Sequence, residues 1–179
     1  MKRGVGASKP STSTLPVEGT AWLVVERKEN WDNDQQRGFA LMGFPEKYQR
    51  RVATFKEGDL LFIYVASGHS CIADVRAVVE VEPRKQWSLE WDDIFPVRVK
   101  TRSVVALQEG HWVNIRPLID RLEISRGRGD WRQCFRHALR RLSAADAQVL
   151  LAECRNAACA TQQQPAPPSR GAKPSRLAQ

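Results

Sequence analysis

Residues Leu60 to Ala66 read Leu-Leu-Phe-Ile-Tyr-Val-Ala, seven uncharged residues set between the turn formers Glu57-Gly58-Asp59 and Ser67-Gly68. A run this short, rich in β-branched and aromatic side chains and bounded by glycine on both sides, predicts a buried strand rather than a helix. Cys71 to Val81 follows directly, so the two runs are expected to pair as a hairpin. A third apolar run, Ala21 to Glu26, predicts another buried strand, and Phe95 to Thr101 alternates Phe95, Val97 and Val99 with Pro96, Arg98 and Lys100. That period of two marks a half-buried strand.

Helical signals flank these strands. Pro45 is placed to open a short helix over Glu46 to Ala53, and Pro117 a helical turn through Leu122. Apolar residues at 131, 134, 135, 138, 139 and 142 predict a helix from Trp131 to Leu142 with one face inward. Ser143 and Asp146 resemble a capping box for a last helix ending near Cys154. Strands in the middle and helices at the end make an α+β fold around a small sheet or barrel. No internal repeat is present.

A chain of 179 residues, 42% of them hydrophobic, has room for one domain with a real core. Residues 20–154 are expected to hold it, between a Gly/Ser/Thr/Pro-rich tail at 1–19 and a basic Pro/Gln-rich tail at 155–179, both expected to be disordered. No stretch approaches the ~18 apolar residues of a membrane span. No apolar run follows the basic N-terminus, so a cytoplasmic protein is expected, with its four cysteines reduced. Those cysteines form no C-x-x-C pair, and neither a metal nor a cofactor is expected.

The formal charge of +8 matters less than its location. The two tails carry +2 and +4, leaving +2 for residues 20–154. Within that unit, however, residues 121–142 hold seven arginines against Glu123 and Asp130, a local +5. A basic segment of this kind points to nucleic acid.

The motifs of the middle fall in a recognisable order. They are Trp22-Leu23-Val24-Val25, Glu29-Asn30-Trp31, Gly43-Phe44-Pro45, and Phe55-Lys56-Glu57-Gly58-Asp59 leading into the strand that contains Tyr64. Phe95-Pro96-Val97-Arg98-Val99, Pro117 to Leu122, Trp131 and Leu142 to Asp146 continue the series. Over roughly residues 21–152 this set resembles EVE domains, PUA-like modules related to the YTH domains that read methylated adenine in RNA through an aromatic cage. Ala66 to Cys71 with Ala73-Asp74-Val75 is similar to a YTH hairpin. The resemblance implies a small mixed β-barrel or sheet flanked by short helices. It also implies binding of a modified base, such as methylated cytosine or adenine, in a pocket beside the barrel.

By that resemblance Asn30 takes the place of an asparagine that contacts the base, its amide able to donate and accept. The alternative is that Asn30 caps a helix after Glu29. Trp31 either lines the pocket or packs in the core, the usual place for tryptophan. Met42 departs from the pattern: both relatives carry their first cage tryptophan there, and methionine has no ring to stack. Phe39 or another ring would have to form that wall. Trp87 and Trp91 sit in the polar loop where YTH domains hold a second cage tryptophan; the alternative is a loop folded over the barrel. Ser67 and His69 lie at the hairpin, near enough to contact base or phosphate unless the histidine is an ordinary turn residue.

Arg126, Arg128 and Arg132 flank Gly127 and Gly129 and resemble the YTH loop that contacts the nucleic-acid backbone, a role suited to bidentate guanidinium groups. A merely solvated charged loop is the alternative. Arg98 on its strand, with Arg136 and Arg140 on the expected helix, would extend the same surface.

The leading expectation is therefore a nucleic-acid-binding module that reads a modified base, acting as a monomer. The second is a general RNA-binding module without that selectivity. A PUA-like hydrolase or nuclease is the third. Asp92 and Asp93 are its carboxylate pair, but neighbours in an extended segment point to opposite faces. His69, His111 and His137 form no ligand spacing or triad, so no catalytic residue is expected.

Overall fold

The computed structural model describes residues 19–66, 68–82 and 95–162. One mixed sheet dominates it. β1 (Ala21–Glu26) pairs in parallel with β3 (Leu60–Val65), and β3 pairs antiparallel with β4 (Cys71–Glu82). β4 in turn pairs with β5 (Val97–Ala106), whose far edge holds β2 (Leu41–Phe44). The short β6 (Val113–Asn114) pairs with the start of β4, and β7 (Leu139–Arg141) closes the open side of β1. The order is β2-β5-β4-β3-β1-β7. Register shifts at Ile63/Tyr64, Val75/Arg76 and Val78/Glu80 sharpen the twist and curl the sheet into a half-barrel.

Both faces of this sheet are covered. Along β1, Ala21 and Leu23 enter one core while Trp22 and Val24 enter the other; along β3, Phe62 and Tyr64 oppose Leu61, Ile63 and Val65. This explains why the central strands read as continuous apolar runs rather than alternating ones. The first core is closed by α3 (Ala144–Gln162) and the 3-10 turns Arg116–Arg121 and Trp131–Phe135. The second is closed by α1 (Lys28–Gln36), β2 and α2 (Gln49–Val52).

Several local expectations change. The helix over 46–53 is a 3-10 turn, Glu46–Tyr48, running into the single turn of α2. No helix spans 131–142: a 3-10 turn ends at Phe135 and the chain re-enters the sheet as β7. Phe135 and Leu142 belong to the first core and Leu139 to the second, and no single helix face reaches both sides of a sheet. The free edge of β1 takes these residues as a strand, with Val25 N–H bonded to the Ala138 carbonyl at 3.0 Å. α3 runs past Cys154 to Gln162, because Ala157 and Ala158 still pack against the first core. Its cap is half a capping box. Asp146 N–H donates to Ser143 Oγ at 3.1 Å, but the Asp146 carboxylate accepts from Glu123 N and Ile124 N, at 2.6 and 3.1 Å.

The second core also contains charge. Arg76 on β4 is fully buried; it donates to Asp34 of α1 at 2.6 Å and to Asp74 at 3.0 and 3.1 Å. Trp31 Nε1 donates to the same Asp74 carboxylate at 2.8 Å, and the guanidinium stacks 4.7 Å from the Phe39 ring. Burial pushes the carboxyl pKa values of Asp34 and Asp74 up, while Arg76 pulls them down. Nearby Glu26 has a solvent-sealed Oε2 with no hydrogen-bond partner among the described residues. Burial raises its pKa to about 8, Asp34 adding to the rise, Arg76 opposing it and Asp74 adding a little more.

Two outcomes follow for stability. Arg76→Met strands two buried carboxylates and should cost about 3–5 kcal/mol in denaturant unfolding. Glu26 keeps its proton to about pH 8 when folded but releases it near 4.5 when unfolded. Its contribution is thus present below about 4.5 and lost as pH rises through 8. Glu26→Gln should leave the melting temperature at pH 5 near wild type and raise it at pH 9, by roughly 1–3 kcal/mol equivalent.

Candidate nucleic-acid interface

The helix α1 leaves β1 with Arg27 at its N-cap and no capping side chain. Asn30 is therefore inside the helix, and the capping alternative for it does not hold. Residues three and four apart share a helix face. Here Asn30, Asn33 and Asp34 line one side of a cavity completed by Gly43 of β2 and Phe95. Two amides and a carboxylate thus converge on one opening, facing an aromatic ring. The cavity measures about 40 Å³, far below the roughly 300 Å³ at the small end of ligand sites. Phe95 packs closely on Gly43 at its edge: a Cβ placed on Gly43 would lie 2.7 Å from the Phe95 Cβ.

The other expected pocket residues lie elsewhere. Trp31 is 1% exposed, with its indole bonded to Asp74 and its ring against Phe39 and Trp112 at 5.6 and 4.9 Å. Met42 is 1% exposed on β2 opposite Val99. Phe39, with φ at +56°, turns its ring under Arg76. All three are side chains of the second core, and none lines the cavity. Ser67, Trp87 and Trp91, with Asp92 and Asp93, lie outside the described residues. His69 is exposed with its ring 5.3 Å from Trp112, a half-buried tryptophan that no motif had marked.

The arginines separate into two groups. Arg98 stands opposite Gly43 in the β2–β5 register but is buried, so it is not displayed to a backbone as expected. Arg126, Arg128, Arg132 and Arg136 are all exposed. Their loop is well anchored. Asp146 holds its entry through Glu123 N and Ile124 N, and the buried Ser125 donates Oγ–H to the Ile119 carbonyl at 2.8 Å. Gly127 takes φ +72°, a left-handed turn that suits glycine. Arg128 Nε is tied to the Ile124 carbonyl at 3.1 Å, and the Arg132 guanidinium stacks 5.0 Å from the Trp131 ring. Asp130 accepts from Arg132 N and lies 3.9 Å from Arg136. Arg140 does not continue a helical stripe with Arg136; it is on β7, with Nη1 bonded to the Cys134 carbonyl at 3.1 Å.

With this geometry in place, the likenesses to known proteins are informative. No protein-family model matches the chain. It is 25% identical over 145 residues to UPF0310 protein PH1033 of Pyrococcus horikoshii, covering 73% of this chain and 96% of that protein. Its fold matches the YTH domain of the Zygosaccharomyces rouxii MRB1 protein, solved in complex with N6-methyladenosine RNA. That match has a TM-score of 0.57 at 13% identity, over 82% of this chain and 94% of the other. It also matches Rpa0253 of Rhodopseudomonas palustris, with a TM-score of 0.52 at 15% identity over 76% and 94% of the two chains. The chain therefore has the α+β fold of YTH and PUA-like domains. Among the described residues no helix is long and apolar enough to cross a membrane.

The anchoring carboxylate can be tested directly. Asp146→Ala leaves two backbone N–H groups without their acceptor and should cost about 1–3 kcal/mol in stability. Faster amide hydrogen exchange at residues 123–128 is the signature expected of a loop released at its root.

Proposed function

We propose that this chain is an EVE-type, PUA-like module, centred on residues 20–154, that binds nucleic acid. The observation that carries the proposal is the loop of exposed arginines, Arg126, Arg128, Arg132 and Arg136, held on the buried Asp146–Ser125 scaffold. A loop fixed this firmly presents its guanidinium groups with little ordering cost on binding. Their planar forks suit phosphate oxygens. The fold shared with a YTH domain solved in complex with RNA supports the same reading.

Within this reading, a base enters between Asn30 and Phe95. Asn30 and Asn33 offer donors and acceptors to a base edge, and Asp34 offers an acceptor for an exocyclic amine. Phe95 must withdraw to admit a whole ring, and Trp87 or Trp91 supplies further stacking surface. A methyl group on the base then adds apolar contact. The module needs no catalytic residue or cofactor for this.

A second reading, general RNA binding without modification selectivity, is favoured by the burial of Trp31, Phe39 and Met42 in the core and by the small cavity. Binding of matched oligonucleotides with and without methylated cytosine or adenine decides between them. The modified-base reading expects selectivity that Asn30→Ala and Trp87→Ala remove. Equal affinity across the panel leaves the general reading. In either case Arg126→Ala with Arg128→Ala should weaken all sequences alike and lower the salt slope by about two.

A further inference from the structure

We propose that the groove between α2 and β7 is a second track for a nucleic-acid strand, distinct from the arginine loop. This rests on the nucleic-acid reading above. The groove measures about 630 Å³ and lies between two chain segments far apart in sequence. Arg51 and Tyr48 line it on the α2 side and His137, Arg140 and Arg141 on the β7 side, with the mostly buried Trp22 between them. Arg141 is the register partner of Trp22 across the β1–β7 ladder, so the two side chains leave the sheet on the same face.

Arg51 and Arg141 share this groove with no carboxylate among its described lining residues, while Arg140, the register partner of Leu23, lines it from the strand and turns its side chain to the other face of the sheet. Like charges gathered without a counter-charge raise the free energy of the empty protein, so the arrangement favours an anionic ligand. Two of the arginines are held in place. Arg51 Nη1 donates to the Leu139 carbonyl at 2.6 Å, and Arg140 Nη1 to the Cys134 carbonyl at 3.1 Å. The Arg51 bond occupies one nitrogen of its guanidinium and leaves other N–H donors for a ligand in the groove, while the Arg140 bond fixes the strand that forms the opposite wall. Arg141 and His137 are exposed.

The shape and the aromatic component identify the anion. A single phosphate ion would fill a small part of 630 Å³. Tyr48, half-buried and with the Lys47 ammonium 5.3 Å from its ring, adds a flat surface among the cations. Cations together with an aromatic platform match a strand whose phosphates meet arginines while a base stacks. An anionic membrane suits the site poorly. The one exposed large hydrophobic residue among those described is Val79 on β4, and peripheral membrane binding needs an apolar wedge. His137 directly follows Arg136 in the chain, so the β7 side of the groove begins one residue after the arginine-rich segment.

The test is fluorescence anisotropy with labelled single-stranded RNA and DNA of about 20 nucleotides, titrated at several salt concentrations. Wild type, Arg141→Glu, His137→Glu and the loop pair Arg126→Glu with Arg128→Glu are compared, each first checked for an unchanged melting curve. Arg141 and His137 are exposed, so at least one of the two groove variants is expected to fold. The proposal expects each groove variant to weaken binding about tenfold and lower the salt slope by about one. It also expects ultraviolet cross-links on the peptide containing Tyr48. A loss on either strand supports the groove, and the larger loss names the sugar. Groove variants that bind as wild type does while the loop pair loses affinity would overturn the groove and leave the arginine-loop reading intact. Wild type that binds neither RNA nor DNA would overturn that reading, and the groove with it. Groove-dependent binding to phosphatidylserine vesicles or polyglutamate, without binding to oligonucleotides, would also overturn the proposal.

Discussion

Arg76 is sealed from solvent in the middle of the longest strand, and an isolated guanidinium there would carry a prohibitive desolvation cost. Asp74, two residues away on the same strand, answers part of its charge, and Asp34 answers the rest from α1. The Asp34 contact makes the network architectural. It ties the helix after β1 to a strand more than forty residues later, and it brings Trp31 to bond Asp74 and Phe39 to stack on the guanidinium. Replacing such a network by apolar side chains is often neutral or stabilising in other proteins. What it supplies here is position: Asp34 can reach Arg76 only if α1 sits where Asn30 and Asn33 face Gly43 and Phe95.

The candidate pocket therefore shares its wall with the buried network. Asp34 serves both, giving one carboxylate oxygen to Arg76 while lining the cavity. In the proposed base-reading role, an anchored acceptor of this kind would be rigid, since moving it would expose Arg76 to an uncompensated burial. Two of the rings expected to stack a base, Trp31 and Phe39, are instead committed to the core around the same ions. A reader built on this chain would thus owe more to hydrogen bonding than to Trp31 or Phe39.

The proposed phosphate-binding surfaces use a different principle. Each is a set of exposed or half-exposed cations positioned by backbone carbonyls, and the arginine loop is also held at its root by the buried acid Asp146. Such surfaces bind by counter-ion release and are strongly salt-dependent. They also lie where the chain changes character, in the segment that leads into β7 and at the edge strand beside β1.

The apolar runs at 21–26, 60–66 and 71–81 were legible as strands because burial on both faces leaves a continuous signal in one dimension. The turn at Gly58, the prolines before the short helices and the Ser143 cap were legible because their chemistry is local. The α+β class followed from the order of those elements, and the arginine-rich segment from simple counting. Tertiary structure alone decided the rest. The helical spacing over 131–142 gave way to β7 because Leu139 and Leu142 serve opposite cores and the edge of β1 needed a partner. Arg98 looked like any strand arginine but is buried, whereas Arg51 had no motif to mark it until β7 came alongside. Pairings between residues forty to ninety positions apart leave no periodic trace in the sequence, and both the charged core and the candidate groove are made of such pairings.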